Sequence, residues 1–168
     1  MGEIGCEMAV RAAALGMNVV YYKRSRLSEE LENRFQAEYR SLEDLLTESD
    51  YVCLAVPQTP ETEKMIGKEQ FDLMKESAYL VNVCRGGVVD EDVMIDVLSE
   101  NRIAGAGLDV FVYEPLPVDS PLCYLDNVIM MPHIGGGSGT NKVIELSAAM
   151  EEMDKVLSGK KPRINLNN

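Results

Sequence analysis

Short apolar runs rich in β-branched and aromatic residues recur along the chain, separated by stretches whose apolar positions follow a helical period. Residues 18–22, 51–56, 78–83, 103–108 and 128–131 read as strands, each closed by charged residues, proline or glycine. Residues 6–16, 27–34, 42–46, 70–74, 91–100 and 141–157 read as helices. Gly16 is a natural stop for the first of these, Ser41 an N-cap with Asp44 three positions on, and Asp90 opens the helix at 91–100. Strands that alternate with helices indicate a parallel sheet joined by right-handed crossovers. The expected fold is therefore α/β, a doubly wound, Rossmann-like parallel sheet in three α/β/α layers. No repeat, low-complexity run or linker interrupts it, so residues 1–168 are expected to form one dinucleotide-binding domain with a polar tail from 160.

The first glycines refine this. Gly2-Glu3-Ile4-Gly5 runs straight into a helix and then a strand, an order that lets a pyrophosphate approach backbone at a helix N-terminus. The full G-x-G-x-x-G pattern has a further glycine and a preceding strand, and neither stands in this sequence. The first strand of the sheet is thus expected to be missing, with its place between residues 18–22 and 78–83. Lys23-Arg24-Ser25-Arg26 follows the second strand, where a dinucleotide fold usually carries an acid for the ribose 2′-hydroxyl. Basic residues there favour a 2′-phosphate and hence NADP, with NAD possible; the bland alternative is a solvated basic turn.

Composition narrows the class of partner. A net charge of -12 argues against nucleic acid and anionic membranes, and no apolar run approaches the roughly 20 residues of a membrane helix. The start has no basic region followed by an apolar one, so a cytoplasmic protein is expected. Cys6, Cys53, Cys84 and Cys123 are scattered and read as reduced, with Cys53 and Cys84 in or beside buried strands. With one histidine and no cysteine cluster, no metal site is expected.

Three strand ends carry the candidate chemistry. Val81-Asn82-Val83-Cys84-Arg85-Gly86-Gly87 brings an arginine, Asp109-Val110-Phe111-Val112-Tyr113-Glu114-Pro115 a carboxylate, and Pro132-His133-Ile134-Gly135-Gly136 the histidine. In a parallel sheet all three reach the carboxyl edge, where ligands bind. A carboxylate bonded to one imidazole nitrogen would fix its tautomer and favour a proton donor, and an arginine offers a planar fork for a substrate carboxylate. Taken singly, Arg85 and Glu114 read as a surface ion pair and His133 as structural.

These segments, with Val56-Pro57-Gln58-Thr59-Pro60-Glu61-Thr62, resemble the nucleotide-binding domain of the D-isomer-specific 2-hydroxyacid dehydrogenases, and most closely the glyoxylate/hydroxypyruvate reductase branch. The resemblance implies hydride transfer between a nicotinamide cofactor and a small 2-oxo or 2-hydroxy acid. It implies Arg85, Glu114 and His133 as the catalytic set. Gly2, Glu3, Ile4 and Gly5, then Lys23, Arg24 and Ser25, would hold the cofactor's phosphates and ribose. Val56, Pro57, Thr62, Val83, Cys84, Arg85, Asp109, His133 and Gly135 would line the rest of its course. A homodimer is the implied assembly. The family's separate substrate domain has no counterpart in these residues, and Gly137-Ser138-Gly139 is richer in glycine than the family's usual turn. The alternative is a dinucleotide-binding or assembly module without activity of its own.

Overall fold

The computed structural model describes residues 1–137 and 139–162, and of residues 139–141 the backbone alone. Ser138 and the last part of the polar tail, 163–168, lie outside the described residues. Two compact units divide the chain, Met1–His133 and Ile134–Asn168.

In the first unit the elements run α1 (Glu3–Ala14), β1 (Val19–Tyr21), α2 (Glu29–Phe35), β2 (Ala37–Tyr39), α3 (Leu42–Glu48), β3 (Tyr51–Leu54), α4 (Lys68–Leu73), β4 (Tyr79–Asn82), α5 (Glu91–Ser99), β5 (Gly105–Leu108) and β6 (Val128–Met130). The expected helices and strands are all present within a few residues. Helix α1 starts earlier than expected, at Glu3, because Gly2 serves as its N-cap and the Cys6 amide already bonds the Gly2 carbonyl at 2.9 Å. Strand β2 was not expected; three residues are too few for alternation to show. The second unit holds α6 (Gly139–Leu157), whose Val143, Ile144, Leu146 and Met150 are exposed. Among the described residues no helix is long and apolar enough to cross a membrane.

All strand pairs are parallel, which is the Rossmann-like arrangement the alternation implied. They form two sheets among the described residues, β1-β2 and β3-β4-β5-β6. The core lies around the larger sheet. Val52 and Leu54 of β3, Leu80 of β4 and Leu108 of β5 meet Ile66, Val88, Val97, Leu98 and Ile103, all buried. Such side chains stabilise the fold by about 1.5–3 kcal/mol each when fully buried.

A gap between residues 18–22 and 78–83 was expected, and its position needs correction. Strand β3 pairs with β4 along its whole length, from Tyr51 opposite Tyr79 to Leu54 opposite Asn82, so nothing fits between β1 and β4 alone. The gap opens instead between β1 and β3, where a cavity of about 1510 Å³ is lined by Val19, Tyr21, Val52, Leu54 and the α1 residues Met8 and Ala12. Chain order conceals this, because β3 returns past the gap to extend the second half of the sheet. Cys53 borders the same cavity and is exposed, on the face of β3 opposite the buried Val52 and Leu54. All four cysteines are free thiols.

Candidate active site

The strand ends do converge. Arg85, Glu114 and His133 line one cavity of about 740 Å³ in the first unit, together with Gln58, Lys64 and Glu91.

Arg85 owes its place to a buried asparagine. The Asn82 side chain, 2 % exposed at the end of β4, accepts the Cys84 amide at 3.1 Å and donates to the Arg85 carbonyl at 3.0 Å. Both ends of this buried amide are therefore satisfied, and the bend they impose turns the chain out of the sheet at Arg85. Leaving one of them unpaired costs about 1–3 kcal/mol. The exposed Arg85 guanidinium donates to the Cys84 carbonyl at 2.7 Å and keeps its remaining donors for the cavity.

Gly86 comes next and leads a single 3₁₀ turn, Gly86–Val88. The turn is braced from the other side, as the Lys64 amide bonds the Gly87 carbonyl at 2.8 Å and the Ile66 amide bonds Val88 at 3.1 Å. Lys64 also pairs with Asp90 at 3.1 Å, an ion pair that holds the lysine's ammonium above its ordinary value.

Glu114 and His133 form a direct pair. Glu114 Oε1 accepts the Phe111 amide at 3.0 Å, and Oε2 lies 2.7 Å from His133 Nδ1. The His133 contact first, and the Phe111 amide second, keep the Glu114 carboxyl below its ordinary value. An ionised carboxylate can only accept, so Nδ1 carries the proton and Nε2 is left for a ligand. His133 sits in the left-handed region with φ of 54°, uncommon for a residue with a side chain, directly after Pro132.

The expected cofactor residues fall on several elements. Gly2 caps α1 with no side-chain cap, and nothing lies within 4 Å of a methyl group built on it. An N-terminus without a side-chain cap is the setting in which a helix takes a phosphate. Glu3 and Ile4 are exposed on that turn and Gly5 is buried beneath it. Val56 and Pro57 follow β3, and Thr62 closes their loop by donating to the Pro57 carbonyl at 2.7 Å. Val83 and Cys84 follow β4; Asp109 follows β5, buried, its amide bonded to the Asn82 carbonyl at 3.0 Å. Gly135 is exposed and falls in the second unit.

The basic turn divides its labour. Arg26 is committed to Glu32 through two bonds of 2.7 and 2.8 Å, which with Tyr21 hold the Glu32 carboxyl at about 2. Lys23 donates to the Met1 carbonyl at 3.2 Å, while Arg24 and Ser25 are exposed. The Glu61 carboxyl is lowered mainly by Thr59, with a smaller contribution from Arg24. Sequence reasoning passed over Gln58 and Glu91; the amide of Gln58 would lie 2.5 Å from a methyl group built on Gly87, so it packs across that turn.

Comparison with known proteins bears on the family and the fold. The family model described as D-isomer specific 2-hydroxyacid dehydrogenase, NAD binding domain, matches residues 1–135. Glyoxylate/hydroxypyruvate reductase B of Enterobacter sp. (strain 638) is 46% identical over 95% of this chain, which covers 49% of that protein. D-lactate dehydrogenase with NAD+ from Lactobacillus jensenii superposes with a TM-score of 0.91 at 29% identity, over 100% of this chain and 54% of that one. The acyclic imino acid reductase Bsp5, in complex with NADPH and D-Arg, gives 0.84 at 30% identity over 98% and 51%. The chain spans about half the length of the relatives it matches.

Proposed function

Because this chain belongs to the D-isomer specific 2-hydroxyacid dehydrogenase family, through its NAD-binding domain, we propose that it is the cofactor-binding and acid-bearing part of a reductase for small 2-oxo acids. The observation that carries the proposal is the 2.7 Å contact between Glu114 and His133 in the cavity that Arg85 also lines.

The residues fit a dinucleotide. The uncapped start of α1, from Gly2 to Gly5, would take the pyrophosphate, and Lys23, Arg24 and Ser25 would face the adenosine ribose. Val56, Pro57, Thr62, Val83, Cys84 and Asp109, at the ends of β3, β4 and β5, would line the remainder. When bound, the reduced nicotinamide supplies a hydride. NADP is our preferred form of it on the strength of Arg24 and Lys23; the solved relatives include one with NAD+ and one with NADPH.

The chain's own groups do the rest. Arg85 binds the carboxylate of the 2-oxo acid through its planar fork and orients the carbonyl. Glu114 holds the imidazole in the Nδ1–H form, so that Nε2 of the charged ring delivers a proton to the oxygen as charge develops there. Run backwards, neutral His133 accepts the proton of a 2-hydroxy acid. A pure binding module would have no need of this pair.

The test is a chimera in which this chain replaces the matching half of the Enterobacter reductase. Reduction of glyoxylate or hydroxypyruvate, followed by loss of NADPH absorbance, is the expected result. A folded chimera that binds NADPH yet reduces neither acid would overturn the proposal.

A further inference from the structure

We infer that Glu91 is a positioning residue, whose carboxylate holds the turn that brings Glu114 to His133; the inference rests on reading those two as the acid pair. Glu91 is the first residue of α5, where an acidic side chain ordinarily does no more than complement the helix dipole. Here its Oε2 instead reaches across to accept the Val112 amide at 3.1 Å. The neighbouring Phe111 amide is taken by Glu114 itself at 3.0 Å. Two successive amides of one turn are thus claimed by two carboxylates, one from within the turn and one from outside it. The outside bond ties the turn to the start of α5.

The platform behind Glu91 is firm. The Asp90 amide bonds the Ile66 carbonyl at 2.9 Å, and the Asp90 carboxylate pairs with Lys64 at 3.1 Å. On its other side the Phe111–Val112 peptide rests against Gly86, with 2.0 Å from a methyl group built there to the Phe111 carbonyl carbon. The peptide is therefore wedged between Gly86, next to Arg85, and Glu91. Releasing the Glu91 side would let the turn swing, and Glu114 would lose its register on His133 Nδ1.

His133 is the single histidine of the chain, so its ring nitrogens are assigned in ¹⁵N spectra without ambiguity. Four forms of the chain are compared: unaltered, Glu91→Asp, Glu91→Gln and Glu114→Ala. Glu91→Asp keeps the charge at the helix start but is one methylene too short to reach Val112; Glu91→Gln keeps the reach and the acceptor without the charge. In the unaltered chain the neutral ring should be mainly the Nδ1–H tautomer, and in Glu114→Ala mainly Nε2–H. Glu91→Asp should move towards the Glu114→Ala spectrum, with Val112 amide exchange faster by about tenfold or more. Glu91→Gln should match the unaltered chain. If Glu114→Ala shifts the tautomer and Glu91→Asp does not, the positioning role is wrong and the acid pair stands. If Glu114→Ala changes nothing, the pair itself is wrong and the inference falls with it. A tautomer that follows the charge rather than the reach, changed in Glu91→Gln and kept in Glu91→Asp, also overturns it.

Discussion

Gly86 and Phe111 meet backbone to backbone, with no room for a side chain: a methyl group on Gly86 would lie 2.0 Å from the Phe111 carbonyl carbon and 2.4 Å from the Val112 nitrogen. The turn that presents Arg85 and the turn that presents Glu114 are therefore one packed unit. Gly86→Ala should force them apart and destabilise the fold by about 1–3 kcal/mol, the usual cost of overpacking. Urea unfolding measures it, and an unchanged midpoint would show that the contact yields freely.

Glu114 gives a prediction in pH. Its carboxyl is held below the ordinary value first by His133 and then by the Phe111 amide. A lowered folded-state value means stability that is present above the unfolded carboxylate value and lost as pH falls through the folded one. Carbon-detected titration should find Glu114 protonating below the ordinary glutamate value, and His133→Ala should move it upward. An ordinary value in the unaltered chain would contradict the pair.

The cofactor preference follows from the turn after β1. With Arg26 held by Glu32, Arg24 and Lys23 are the groups left to meet a 2′-phosphate. NADPH should bind more tightly than NADH by about 1–3 kcal/mol, and Arg24→Ala should narrow the difference. Fluorescence titration of both cofactors decides it; equal affinities, or a preference for NADH, would remove the basis for choosing NADP.

Among the described residues, β1 and β3 each pair on one side only and face the cavity of about 1510 Å³ between them. Unpaired backbone shielded from water costs about 1–3 kcal/mol per group, and open strand edges recruit other strands. The 168-residue chain should therefore self-associate as its concentration rises, in keeping with the homodimer the family resemblance implied. Sedimentation over a range of concentrations tests this, and a monomer throughout would show the edges to be harmless.

Much of this was legible in the residues, and the failures have physical causes. Strand ends were readable because Arg85, Glu114 and His133 each follow a short apolar run, β4, β5 and β6, and parallel pairing brings the ends of these runs to one edge. The position of the gap was not, because spatial strand order is non-local and β3 inserts itself beside β4. Strand β2 escaped notice because Ala37-Glu38-Tyr39 is held by pairing with Val19, Val20 and Tyr21, not by a pattern of its own. Glu91 escaped because an acid at a helix start has an ordinary reason to be there; only the Val112 amide at 3.1 Å distinguishes it. Cys53 lies in a strand as expected but on its exposed face, because β3 alternates between a buried and an open side.

His133 as the proton donor is the central assignment. In the chimera with the Enterobacter reductase, His133→Ala should slow glyoxylate reduction by about a hundredfold to ten-thousandfold, the range for losing a positioned general acid. NADPH affinity, measured on the same protein, should stay within about twofold, because the imidazole acts on the substrate oxygen. Near-normal turnover in the His133→Ala chimera would mean that another group delivers the proton and would contradict the assignment.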